Sequence, residues 1–423
     1  MPFSSLGFSQ ALQPALFRAI AEKAYLAPTA IQTQAIPAIL QGRDIVASAS
    51  TGSGKTAAFA LPMLHQLAGA AAGTPRPVRA LILVPTRELA AQVGETIVSL
   101  ARYLPQRVKV VVVFGGVSIN PQMMDLRGGA DIVVATPGRL IDLIGRNALT
   151  LASVGLLVLD EADRLLDLGF GDEINQILNL LPAHRQSLFF SATFPPAIET
   201  LAESMLHDPL RIEAQTATQA GPDIVQRAIE VDAGQRTQLL RQLVQTGGLS
   251  QVLVFVATKH AAEIVADKLR KAGIDAEPFH GELSQGKRLQ VLRDFKSKGL
   301  QVVVATDVAA RGIDIAQLPL VVNYDLPRSA VDYTHRIGRT GRAGESGLAI
   351  SFVSAGTEAH FRLIEKRQRL SIPREQVAGF EPLESRPPNA ADPLAIGGVK
   401  GKRPSKKDKL REAVARAQSD QAR

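Results

Sequence analysis

Two short stretches of this chain combine residues that could handle phosphate and a metal ion. Ala49-Ser50-Thr51-Gly52-Ser53-Gly54-Lys55-Thr56 follows a short apolar run, and further on Leu156-Leu157-Val158-Leu159 ends abruptly in Asp160-Glu161-Ala162-Asp163. A loop that cradles phosphate needs consecutive backbone N–H groups turned inward. That requires glycines at the tight positions, a lysine for the outer phosphates and a hydroxyl for the metal. Gly52, Gly54, Lys55 and Thr56 supply these, and a helix expected over residues 57–68 would aim its N-terminal dipole at the anion. The strict pattern opens on glycine where this chain has Ala49, so a chance glycine turn before a helix stays open for the loop alone. The three carboxylates fall at the end of a strand-like run, where open parallel sheets present functional groups. Asp160 would bind magnesium together with Thr56, and Glu161 would polarise an attacking water. Taken alone, the tetrad reads more readily as an acidic cap on the helix carrying Leu165 and Leu166; the upstream loop reverses that preference.

A third stretch, His335-Arg336-Ile337-Gly338-Arg339-Thr340-Gly341-Arg342, sets three arginines at a spacing of three. Like charges on one helix face repel, so stability does not call for them, whereas an anion does. A basic surface face is the alternative. Because they lie far along the chain, these arginines could reach a terminal phosphate only if two domains close on one nucleotide, as an arginine finger does.

Elements must exist to hold these groups. Apolar runs of strand length alternate with helix-length amphipathic segments throughout, which argues for α/β architecture with parallel sheets. The expected strands are 44–47, 79–84, 108–114, 131–135, 156–159 and 187–190 in the first half, and 227–231, 252–256, 276–279, 302–305, 320–322 and 348–353 in the second. At 423 residues the chain exceeds a single core. Residues 213–223 have few large apolar side chains and end in a Gly-Pro turn, which suits a linker. The expected division is 1–33, 34–213, a linker 214–223, 224–380 and a disordered basic tail 381–423.

Hydrophobic residues at 46% and charged residues at 21% suit a folded globular protein. The net charge of +8 is concentrated at the end: from Arg386 onward there are ten Lys/Arg against four Asp/Glu. Such a tail fits attraction to nucleic acid, with a solubility tail as the alternative. Absence of cysteine excludes disulfides and thiolate metal sites. No run approaches the roughly 18 apolar residues of a membrane span, and the first residues lack a basic leader. The expectation is a soluble cytoplasmic protein without membrane contact.

On these motifs, in this order, the chain resembles the DEAD-box RNA helicases of superfamily 2 over roughly residues 3–377, and within them the RhlE-like bacterial group. The family's own loop opens on alanine, as here. The resemblance implies two tandem RecA-like domains with a cleft between them, ATP and Mg2+ as cofactors, and RNA as partner. Pro28-Thr29-Ala30-Ile31-Gln32 resembles the Q motif, which implies an adenine contact for Gln32, with Tyr25 stacking near the base. The family usually has glycine before that aromatic where this chain has Ala24, and the upstream aromatic is either Phe3 or Phe8. Thr86 and Arg87, Gly116, Thr136 and Arg139 match RNA-backbone motifs, as does Thr306 in the second domain. Ser191 and Thr193, with Asp163, match the motif that couples nucleotide state to closure, and His335 and Arg311 join that network. Asp314 matches a ribose contact, Gln285 with Arg288 another second-domain motif, and Arg339 and Arg342 the arginine fingers. The implied activity is RNA-dependent ATP hydrolysis that unwinds short duplexes or remodels ribonucleoprotein by bending a single strand, with a role in ribosome assembly or RNA turnover, by a monomer. Phosphate and 2′-hydroxyl contacts would favour RNA without reading sequence. A DNA-stimulated helicase or translocase and a non-catalytic RNA chaperone are the rival readings.

Overall fold

Apolar runs such as Ala80–Leu83, Ile132–Ala135, Leu156–Leu159 and Val252–Val256 are buried along their whole length. Only a parallel sheet covered on both faces hides every side chain of a strand. The computed structural model describes residues 2–49, 52–68, 73, 75–213, 224–247, 250–310, 318–341 and 347–383. The expected linker, the tail from residue 384, and Ser50, Thr51, Arg311, Asp314 and Arg342 lie outside the described residues.

The first sheet comprises β1 (Ile45–Ser48), β2 (Ala80–Leu83), β3 (Val110–Val113), β4 (Ile132–Ala135), β5 (Leu156–Leu159), β6 (Gln186–Ser191) and β7 (Leu210–Glu213). Its helices are α1 (Gln13–Glu22), α2 (Ala30–Leu40), α3 (Lys55–Ala68), α4 (Arg87–Leu100), α5 (Ile119–Asp125), α6 (Pro137–Gly145), α7 (Ala162–Asp167), α8 (Gly171–Asn179) and α9 (Pro196–Met205). The second sheet comprises β8 (Ile224–Glu230), β9 (Val252–Val256), β10 (Ala276–Phe279), β11 (Val302–Thr306), β12 (Leu320–Asn323), β13 (Gly347–Val353) and β14 (Arg374–Glu375). With it run α10 (Arg236–Thr246), α11 (Lys259–Lys271), α12 (Gln285–Lys296), α13 (Asp307–Ala310), α14 (Ala330–Ile337) and α15 (Glu358–Gln368).

The strand orders, β3-β4-β2-β5-β6-β1-β7 and β10-β11-β9-β12-β13-β8-β14, are equivalent in the two halves. All pairings are parallel, for example Ala47 with Phe190 and Ile82 with Val158. Alternation along each strand divides the core in two: Val252, Val254 and Val256 enter one cluster, Leu253 and Phe255 the other. Because β1, β5 and β6 share one direction and neighbouring places, the loops after them open at a single edge.

The expected strands are all present, with ends shifted by a few residues. Two were not foreseen. Leu210–Glu213 pairs with β1 as an edge strand with one fully buried residue, and Arg374–Glu375 is a two-residue addition beside β8. Neither shows the apolar run that marks a central strand.

Ala24 sits where the resemblance led to glycine, and its backbone is left-handed, φ 54°. It ends α1 in a Schellman turn: Tyr25 N donates to the Ile20 carbonyl at 3.2 Å and Ala24 N to that of Ala21 at 3.0 Å. A β-carbon there is strained by about 1 kcal/mol, while glycine adds freedom to the unfolded chain. Ala24→Gly is expected to stabilise the protein by about 0.5 kcal/mol. A lower thermal midpoint for the variant would show that the turn carries no strain.

Candidate functional site

Glycines shape the phosphate loop. Gly52 and Gly54 have φ of 81° and 90°, and a β-carbon on Gly54 would stand 2.5 Å from Gln32 Nε2 and 3.0 Å from Thr29 Oγ1. Gln32 is buried and ties two pieces of chain together: its Oε1 accepts from Thr29 N at 3.0 Å, closing the capping box of α2, and its Nε2 donates to the Gly54 carbonyl at 3.1 Å. The expected adenine residue is thus also the brace of the loop. Tyr25 is half-buried against the same core, and Phe3 and Phe8 are both buried in it.

At the start of α3, Lys55 is buried, and its Nζ forms a long ion pair with Asp160 Oδ1 at 3.5 Å and meets no closer hydrogen-bond partner among the described residues. Thr56 follows, half-buried. A buried ammonium with unsatisfied N–H groups beside a glycine cradle suits the outer phosphates of a nucleotide. Asp160 and Glu161 end β5, 2% and 4% exposed. Burial pushes the Asp160 carboxyl above its ordinary range against the pull of Lys55. A buried carboxylate whose only cationic neighbour among the described residues is one lysine leaves room for a divalent cation. For Glu161, burial also pushes upward, but Arg164, then Lys55 and Arg339, outweigh it and hold the carboxyl below the ordinary range. Glu161 itself has a left-handed backbone, φ 52° and ψ 53°, a strained state for a residue with a β-carbon.

Asp163 gathers the coupling residues. Its Oδ2 accepts from Thr193 N and Thr193 Oγ1, both at 3.0 Å, its N donates to Ser191 Oγ at 3.3 Å, and Ser191 Oγ donates to the Thr193 carbonyl at 2.7 Å. These bonds tie the tetrad to the loop after β6.

The candidate nucleic-acid residues meet at the ends of β2, β3 and β4. Thr86 caps α4, accepting from Leu89 N at 3.3 Å, and Arg87 Nη1 donates to the Gly116 carbonyl at 3.3 Å. Gly116 has φ 71°, and a β-carbon there would collide with the Arg87 guanidinium at 1.8 Å. Thr136 Oγ1 accepts from Gly115 N at 3.3 Å, and Arg139 Nη2 donates to the Val117 carbonyl at 2.8 Å while its Nε and Nη1 lack hydrogen-bond partners. Thr306 stands half-buried at the end of β11 in the second sheet.

The domains touch at both ends of the cleft. On the α4 side, buried Glu88 accepts from Gln285 Nε2 at 3.1 Å and pairs with Arg288 Nη2 at 3.2 Å. Beside the tetrad, Arg164, Phe255, Asp307, Ala310, Asp332, His335, Arg336 and Arg339 line a small, half-open pocket. Burial and the Arg164 charge hold the His335 imidazole below its ordinary value.

Arg342 lies outside the described residues, and the other two of the evenly spaced arginines make different contacts. Arg336 is spent inside its own domain: Nε and Nη2 hold both oxygens of Asp307 at 2.6 and 2.7 Å, Nη1 donates to Asn323 Oδ1 and the Asp325 carbonyl, and the guanidinium lies over Phe255. The reason is the end of α14 at Ile337, capped by Gly338; beyond it the helical spacing no longer applies, and Arg339 turns toward Glu161. Sequence reasoning passed over Arg164 and Glu88. Arg164 stands three residues after Glu161 at a helix start, the ordinary ion-pair spacing, so its signal was present.

A profile described as DEAD/DEAH box helicase matches residues 29–201, and one described as Helicase conserved C-terminal domain matches residues 235–344. ATP-dependent RNA helicase DeaD of Mycobacterium tuberculosis is 41% identical over 390 residues, covering 92% of this chain and 68% of that protein. DEAD-box ATP-dependent RNA helicase CshA of Geobacillus kaustophilus is 39% identical over 372 residues, covering 88% and 78%. Among solved structures, S. cerevisiae Dbp5 bound to RNA and ADP BeF3 superposes with a TM-score of 0.76 at 31% identity, covering 89% of this chain and 95% of that one. Identity at this level, sustained across both sheets and the cleft between them, places the chain in the DEAD-box family of ATP-dependent RNA helicases.

Proposed function

We propose that this helicase hydrolyses ATP between β1, β5 and α14 and uses the closure of its domains to bend a single RNA strand laid across the ends of β2, β3, β4 and β11. The observation that carries this reading is the buried, unsatisfied Lys55 ammonium beside Asp160, with Arg339 of the second domain near enough to lower the Glu161 carboxyl.

Lys55 and the loop 49–54 bind the outer phosphates, and Tyr25 and Gln32 the adenine, with Asp314 on the ribose. Asp160 and Thr56 would hold magnesium, which when bound neutralises phosphate charge. Glu161 orients and deprotonates the attacking water. Arg339 and Arg342 stabilise charge on the transferred phosphoryl group. Thr86, Arg87, Gly116, Thr136, Arg139 and Thr306 grip the RNA backbone, and Asp163, Ser191, Thr193, His335 and Arg311 pass closure between the two sites. The units are 1–33, 34–213, 224–380 and the tail 381–423, joined through 214–223. A monomer acting in the cytoplasm on ribosomal precursors or with the RNA-decay machinery fits these contacts; no described helix is long and apolar enough to cross a membrane.

The test compares ATP turnover with saturating RNA and DNA oligonucleotides of one sequence. RNA is expected to stimulate at least tenfold more than DNA, since 2′-hydroxyls distinguish the two. Equal or stronger stimulation by DNA would sink the proposal.

A further inference from the structure

Arg164 enters the cleft from α7 and meets both halves of it. Its Nη1 pairs with Glu161 Oε2 at 2.5 Å, with both side chains buried. Its Nη2 is buried and has no hydrogen-bond partner among the described residues. The guanidinium lines a half-open pocket of about 10 Å³ whose other lining residues, including Asp307, Asp332, His335 and Arg339, all belong to the second domain. That is about the room one water needs.

Holding a water-activating carboxylate with a cation lowers its basicity, so a site built for base strength would avoid the pair. Phosphoryl transfer rewards a different property. Its transition state is loose, and catalysis rests mainly on placement and charge. Glu161 has reason to need a guide: its left-handed backbone sets the side chain off at an unusual angle, and among the described residues its Oε1 accepts no hydrogen bond, while Oε2 is occupied by Arg164.

We propose that Arg164 is a positioning residue that pins Oε2 of Glu161 so that Oε1 alone faces the attacking water, and that the second domain tightens the pin by walling in the guanidinium. The proposal rests on the reading of Glu161 as the group that orients water. It makes Arg164 a link between domain closure and the hydrolytic geometry, separate from the arginine fingers, because Arg164 acts on the carboxylate and not on phosphate.

The experiment uses the full chain with Mg-ATP and a saturating single-stranded RNA oligonucleotide. Turnover is measured for Arg164→Met, Arg164→Lys, Glu161→Gln and the Arg164→Met, Glu161→Gln double variant, and RNA affinity is measured separately with a non-hydrolysable ATP analogue. Arg164→Met is expected to lower saturated turnover about tenfold while RNA affinity stays within about twofold, since misplacing a reacting group by an ångström has effects of this size or larger. Arg164→Lys, which keeps the charge but loses the planar fork, should fall between the two. On top of Glu161→Gln, Arg164→Met should cause no further loss. A further loss of about tenfold in the double variant, turnover within twofold for Arg164→Met, or a parallel fall in RNA affinity overturns the proposal. If Arg164→Met fails to fold, Arg164→Lys with and without Glu161→Gln makes the same comparison. Unchanged turnover in Glu161→Gln alone removes the underlying reading as well, and so separates the two failures.

Discussion

Glu161→Gln is expected to lower RNA-stimulated ATP turnover by about a hundredfold or more while leaving ATP and RNA binding within a fewfold of their starting values. The substitution keeps shape and an oxygen that can accept from Arg164, and removes the ability to take a proton from water. General-base groups typically contribute about 10²–10⁴ in rate. Binding survives because Lys55, Gly54 and Gln32 form the loop without help from this side chain. Removing one negative charge also leaves Lys55, Arg164 and Arg339 less compensated. A bound phosphate chain can supply that charge, so nucleotide affinity should hold or rise. Turnover within about threefold of the unsubstituted chain, measured at saturating ATP and RNA, would show that another group activates the water.

The second large effect concerns folding. Arg336→Ala removes two hydrogen bonds from Asp307, one from Asn323 and one from the Asp325 carbonyl. Arg336 is buried while Asp307 is 24% exposed, so water can partly resolvate the aspartate and the cost should fall near the lower end of the roughly 3–5 kcal/mol typical of breaking a fully buried pair from one side. The second domain should therefore unfold at clearly lower denaturant, seen as an earlier second transition or a split in a previously shared one. Arg339→Lys, only three residues on, is expected to leave that transition in place and reduce turnover instead. Equal midpoints for Arg336→Ala and the parent chain would mean that the α14 anchor lies elsewhere.

These contrasts mark where the sequence is readable. Central strands such as Leu156–Leu159 were legible because burial on both faces forces an unbroken apolar run. Edge strands β7 and β14 were not, since a half-exposed strand of two to four residues has no periodicity to detect. The phosphate loop and the tetrad were legible because their chemistry demands particular residues in sequence. Contacts that join distant segments were harder. Nothing in the residues around Glu88 announces its partners Gln285 and Arg288, which lie 197 and 200 residues away. The arginine spacing carries less than it suggests for a local reason: a spacing of three has meaning only while the helix lasts, and α14 stops between Arg336 and Arg339.

The left-handed backbone at Glu161 sets robustness against chemistry. A glycine or asparagine at this position would adopt φ 52° with less strain, so the changes that relax the turn are also those that shorten or delete the carboxylate. Any search for hardier variants that screens only for folding will be drawn to residue 161 and will discard the helicase's proposed base. The strain is small, on the order of 1–3 kcal/mol, yet it means that a heat-tolerant version of this protein has to be sought at other turns, of which Ala24 is the plainest.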